Sequence, residues 1–121
     1  MPITVERDGA RRRTTIVMTG AVSLEDLRVF VRTSSLLGGD DLVADLRAVN
    51  LAFLSSANTR ELAGIAATSA PAGGYGRVAI VVGTTADYGT ARMYATHRSA
   101  GGLLIEVFRT MEDAEGWLEP D

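Results

Sequence analysis

The sequence predicts an α/β domain, a two-layer mixed β-sheet with helices in the order β-β-α-β-α-β-α-β-α. Three observations predict it. Residues 42–46, 78–82 and 103–108 are short apolar runs of strand length. Amphipathic stretches of helix length separate them, and right-handed crossovers between such strands make a sheet parallel. Ahead of these, residues 3–7 and 14–19 are β-rich and flank Asp8-Gly9, a two-residue hairpin signal that adds an antiparallel element. No repeat, low-complexity tract or linker divides the 121 residues, so residues 1–121 read as one domain with one core.

Each element has its own local warrant. Gly20 ends the second strand, and Ser23 with Asp26 three residues on forms a capping box. Leu24, Leu27, Phe30 and Val31 then make one apolar helix face, which Gly38-Gly39 stops. After the strand at 42–46 comes an irregular, partly apolar connection. A helix from about Ser56 follows, with Leu62, Ile65 and Ala66 inward. Pro71-Ala72-Gly73-Gly74 cannot continue it. Residues 77–82 are continuously apolar after Arg77, as in a strand buried on both faces. A third helix spans roughly 86–98, and Gly101-Gly102 breaks the chain before the last strand. Thr110 to Asp113 caps a final helix that places Met111, Ala114, Trp117 and Leu118 on one side.

Composition narrows the function classes. The net charge is −3, with no basic footprint for nucleic acid. All 12 basic residues are Arg, matching coding bias in a GC-rich bacterial genome rather than a chemical demand. Absence of Cys excludes disulfides, thiolate metal sites and cysteine nucleophiles. No apolar run approaches the ~20 residues of a membrane span, and no signal-peptide core is present. A cytoplasmic domain is expected, without cofactor or metal.

The candidate sites have competing readings. Ser55, Ser56 and Asn58 fall where a strand end meets a helix N-terminus, where free amides and the helix dipole favour an anion or a phosphorylated side chain. The same residues are ordinary caps, and Asn58 with Glu61 offers a capping box in a competing register. Arg11-Arg12-Arg13 reads as a solvated strand edge or as a docking patch for an acidic partner. His97, the only histidine, has no second ligand, nucleophile or orienting acid in view and reads as exposed near a helix C-terminus. Tyr88, Met93 and Tyr94 read as core packing or as the lining of an apolar groove. Gly73-Gly74-Tyr75-Gly76 precedes a strand, so it is no phosphate cradle, and no Gly-x-Ser-x-Gly elbow exists. No enzyme activity is expected.

The element order, Asp45-Leu46-Arg47 and Leu54-Ser55-Ser56-Ala57 together resemble the STAS family of bacterial anti-sigma-factor antagonists. The C-terminal half is similar to the SpoIIAA-like (STAS/SEC14-related) branch. It carries Tyr88-Gly89, Arg92-Met93, Val107-Phe108-Arg109 and an acidic helix ending Trp117-Leu118. The resemblance implies a STAS/SpoIIAA-like fold and a non-catalytic interaction module. It also implies a phospho-acceptor at the first serine of the turn and a protein partner such as an anti-sigma factor. Leu54 stands where the family has Asp, and Ala57 where it has Gly. The SEC14 side of the resemblance implies the alternative, a carrier of a lipid or other apolar ligand; a homodimer is compatible with either.

Overall fold

The computed structural model describes residues 3–34, 39–68, 76–99 and 103–119. The turn expected at 71–74, the break at Gly101-Gly102 and Gly38 lie outside them. Five strands and four helices follow in the expected order: β1 (Ile3–Asp8), β2 (Arg13–Thr19), α1 (Leu24–Ser34), β3 (Asp41–Ala48), α2 (Ser56–Thr68), β4 (Val78–Val81), α3 (Thr85–Ser99), β5 (Ile105–Phe108) and α4 (Met111–Leu118). They build one mixed sheet in the order β1-β2-β3-β4-β5. β1 pairs antiparallel with β2, and β2 to β5 run parallel.

The hairpin is looser than its Asp8-Gly9 signal predicts. Four residues separate β1 from β2, and Arg12 takes a positive φ of 54°. The Asp8 carboxylate orders this turn by accepting the amides of Ala10 and Arg11. α1 starts as expected: Ser23 and Asp26 exchange backbone-to-side-chain bonds at 3.1 and 3.0 Å.

Sequential order along the parallel strands fixes where the helices go. Right-handed crossovers that keep stepping in one direction deposit every helix on the same face. Accordingly Ile16, Met18, Leu42, Ala44, Ile80 and Val107 form the main core with Leu27 and Phe30 of α1, Leu62 and Ala66 of α2, and Ala91 and Ala95 of α3. The opposite face holds Val43, Ala79 and Val81, each fully buried under Ala114 and Leu118 of α4. The two-layer description covers the sheet and α1–α3; α4 adds partial cover on the second face.

α4 is fastened at both ends. Thr110 accepts the Asp113 amide at its N-terminus. At its C-terminus Arg77 donates to the carbonyls of Trp117 at 2.6 Å and Leu118 at 3.0 Å, and its guanidinium lies 5.1 Å from the Trp117 ring centre. A cation there complements the negative end of the helix dipole. The Arg11-Arg12-Arg13 run joins the same task, because Arg11 and Arg13 approach Glu119 at 3.3 and 3.6 Å. Arg13 is buried on the second face, so neither a wholly solvated edge nor an open docking patch describes it.

Glycines give a direct stability test. A Cβ on Gly83 would sit 2.7 Å from the Arg47 carbonyl oxygen, whereas one on Gly64 in α2 meets nothing within 4 Å. Gly83→Ala should destabilise by about 1–3 kcal/mol through overpacking. Gly64→Ala should stabilise by about 0.5–1 kcal/mol through helix propensity. Urea unfolding of the two variants checks both signs.

Candidate functional site

All four helices begin beyond the C-terminal ends of the parallel strands, so their free N–H groups share one edge of the sheet. The most built part of that edge is the connection from β3 to α2. β3 gains a residue relative to β2, since Val17 pairs with Asp45 but Thr19 with Ala48. The chain then turns over the core, burying Val49 and Leu51 to 3% exposure and half-burying Leu54. Those side chains explain why the irregular connection is partly apolar.

Asp87 holds this connection in place. Its buried carboxylate accepts the Leu51 amide at 3.2 Å, and its own amide is capped by Thr84. Sequence reasoning did not single out Asp87, although Thr84 and Asp87 have capping-box spacing. Here the acid serves a loop 36 positions away instead of the cap residue. Arg109 adds a strut from the end of β5, donating to the Thr85 hydroxyl and the Gly83 carbonyl.

On that support the serine turn projects outward. Ser55 is the α2 cap: its hydroxyl accepts the Asn58 amide at 3.1 Å, and the Asn58 side chain accepts the Ser55 amide at 3.1 Å. The competing box, Asn58 with Glu61, is not formed, because Glu61 is taken by a two-pronged ion pair with Arg28 of α1. Ser56 occupies the first helical position, exposed, and its hydroxyl has no partner among the described residues. Phe53, 44% exposed, stands just before the turn. The arrangement presents one engaged and one free hydroxyl at a helix N-terminus, where added negative charge is favoured by the dipole.

Earlier in the chain, Asp45 and Arg47 of β3 form a pair at 2.8 and 2.9 Å. The Arg47 hydrogen bonds hold the buried Asp45 carboxyl below its usual range, with burial opposing and losing. Asp45-Leu46-Arg47 is thus a local clasp at the strand end, with Arg47 half-exposed.

The other candidates separate. Tyr94 is half-buried and lines a cavity of about 90 Å³ between sheet and helices, with Phe30, Leu62 and Ile80. Tyr88 packs against the core but does not line that cavity, and Met93 is 40% exposed with its sulfur accepting the Thr59 hydroxyl. The three residues therefore do not build one apolar groove. The cavity is smaller than the ~150 Å³ that takes a benzene molecule, so a lipid carrier finds no support in it. His97 is half-buried in the last turn of α3. Among the described residues no cluster of three or more His, Asp or Glu could hold a metal, and no helix is long and apolar enough to cross a membrane.

No protein-family model and no curated protein matches the sequence. Among solved structures the chain is similar to an anti-sigma factor antagonist from Mycobacterium paratuberculosis, with a TM-score of 0.61 and 16% identity. The match covers 97% of this chain and 92% of that one. The likeness at that identity is one of fold, and it agrees with the STAS-type fold that the sequence resemblance implies.

Two measurements follow from this geometry. Ser55→Ala should lose about 1 kcal/mol of stability and Ser56→Ala well under half of that, because only Ser55 caps. Denaturant titration distinguishes them. For pH, Asp45 is more acidic folded than unfolded, so its contribution is full above the ordinary Asp pKa of about 3.9 and is lost as pH falls through the lower folded value. Arg47→Ala should therefore weaken the protein at pH 7 and flatten the acid limb of its stability curve; a limb of unchanged steepness contradicts the assignment.

Proposed function

We propose that the protein is a non-catalytic regulatory module that binds a protein partner through the Ser55-Ser56 turn and the adjoining face of α2. The observation that carries this reading is the turn itself. A strand end braced by Asp87 and Gly83 presents two adjacent exposed serines, one structurally committed and one free. The fold supports the partner class, since a solved structure of similar fold is an anti-sigma factor antagonist. An anti-sigma factor is accordingly the proposed partner, met in the bacterial cytoplasm.

The topology favours binding over catalysis. Open α/β sheets usually hold ligands in a crevice where strand order reverses. From β2 to β5 the order here never reverses, so the helices do not part to make one. His97, at the far end of α3 from the serine turn, has no nucleophile or orienting carboxylate assigned to it among the described residues.

Regulation by charge would fit the same turn, with Ser56 as the proposed modifiable hydroxyl. A phosphate adds about −1.5 to −2 charges, which a helix N-terminus accommodates without unfolding. Ser55 is the position that the family resemblance marks, but phosphorylating it would remove the cap acceptor from its present geometry.

Titration calorimetry with the anti-sigma factors of the source genome, using wild type, Ser55→Asp and Ser56→Asp, tests the proposal. Ser56→Asp should weaken binding about tenfold or more, a loss of about 1.4 kcal/mol, while melting like wild type. Equal binding by all three proteins would overturn it.

A further inference from the structure

The chain has no cysteine, so methionine is its only oxidisable sulfur. Of the four methionines, Met1 lies outside the described residues and Met18 is fully buried in the main core. Met111 packs half-buried against the cluster of Ala114 and Leu118. Met93, on α3, is 40% exposed. A thioether has to be reached by its oxidant, and exposure singles out Met93.

The partner of Met93 gives that exposure a consequence. Its sulfur lies 3.2 Å from the hydroxyl of Thr59, and the same hydroxyl lies 2.8 Å from the Ser56 carbonyl oxygen. A threonine hydroxyl carries one proton, so it serves one of these acceptors at a time. A thioether sulfur accepts weakly, so in the reduced protein the proton goes to Ser56. Thr59 is 1% exposed, which leaves its hydroxyl no water as an alternative. Its amide also donates to the Ser55 carbonyl at 3.0 Å. Thr59 therefore ties the first turn of α2, and with it the serine turn, to a side chain on α3.

Oxidation reverses the competition for that proton. A sulfoxide is polar and chiral, and its oxygen accepts far more strongly than the sulfur did. Placed against a buried hydroxyl, it takes the proton and adds an atom where α2 meets α3. The Ser56 carbonyl loses its side-chain donor.

We propose that Met93 is an oxidation site for hydrogen peroxide and two-electron oxidants of that class, and that its sulfoxide reorganises the first turn of α2 through Thr59. A sulfur lone pair attacks one peroxide oxygen, and the O–O bond breaks as the S–O bond forms. The proton on the attacked oxygen passes to the departing hydroxide, which leaves as water. Sulfur gives up two electrons and peroxide gains them. Because the chain has no thiol, reversal falls to a separate sulfoxide reductase. The inference concerns the turn itself and stands whether or not a partner binds there.

The test exposes the protein to millimolar hydrogen peroxide and follows it by peptide mass spectrometry and NMR. Met93 should oxidise at least tenfold faster than Met18. Its oxidation should move the Ser56 carbonyl resonance and speed amide exchange at Thr59 and Arg60 at least tenfold. Met93→Leu should abolish this response. Thr59→Val, which keeps the shape without the hydroxyl, should leave Met93 oxidising but remove most of the change at Ser56. Thr59→Ser, which retains the hydroxyl, should preserve it. Equal oxidation of Met93 and Met18, or oxidation of Met93 with Ser56 and Thr59 unchanged, would overturn the proposal. A full response in Met93→Leu or Thr59→Val would do so too.

Discussion

Four parallel strands laid down in sequence order are the constraint on which the rest of this structure depends. Because β2, β3, β4 and β5 step in one direction, right-handed connections place α1, α2 and α3 on a single face. The same choice leaves the other face of the sheet bare, although Val43, Ala79 and Val81 point into it. An eight-residue helix closes that gap, and it is far too short to persist alone in water. Its persistence rests on packing and on Arg77, which answers both terminal carbonyls and the Trp117 ring. The burial of Arg13 belongs to this solution as well.

The edge that carries the serine turn is a second consequence. Parallel strands followed by helices gather every helix N-terminus at one end of the sheet, and there the chain spends its unusual residues. Gly83 permits the approach of the β3 connection, Asp87 ties that connection down, and Arg109 braces the start of α3. Such fixing would suit the proposed recognition role, since a rigid turn loses little entropy when a partner is bound. It also accounts for why Leu54 is accommodated where the resembling family has Asp. The side chain packs partly against the core, and its amide bonds to the Leu51 carbonyl.

What the sequence revealed divides by range. Caps whose partners lie three residues apart, Ser23 with Asp26 and Thr110 with Asp113, were readable because both halves are local. The apolar runs of β3 and β4 were readable because a strand buried on both faces needs no alternation, whereas β5 alternates buried Ile105 and Val107 with exposed Glu106. Asp87 was not, because its partner amide is brought to it only by the fold. Arg13 was misjudged for the same reason: its surroundings depend on where α4 and the following Glu119 land, about a hundred positions later. At the site, the choice between Ser55-Asn58 and Asn58-Glu61 was undecided locally. Arg28 on another helix decided it by engaging Glu61.

The central claim is that partner recognition occurs at the strand-end edge built around Ser55 and Ser56. Amide exchange across the chain, free and saturated with a bound anti-sigma factor, tests it most directly. The account predicts that protection appears from Phe53 to Arg60, at the turn and the first turns of α2. Protection confined to the opposite edge, at residues 9–12, 39–41 and 76–77, would contradict it.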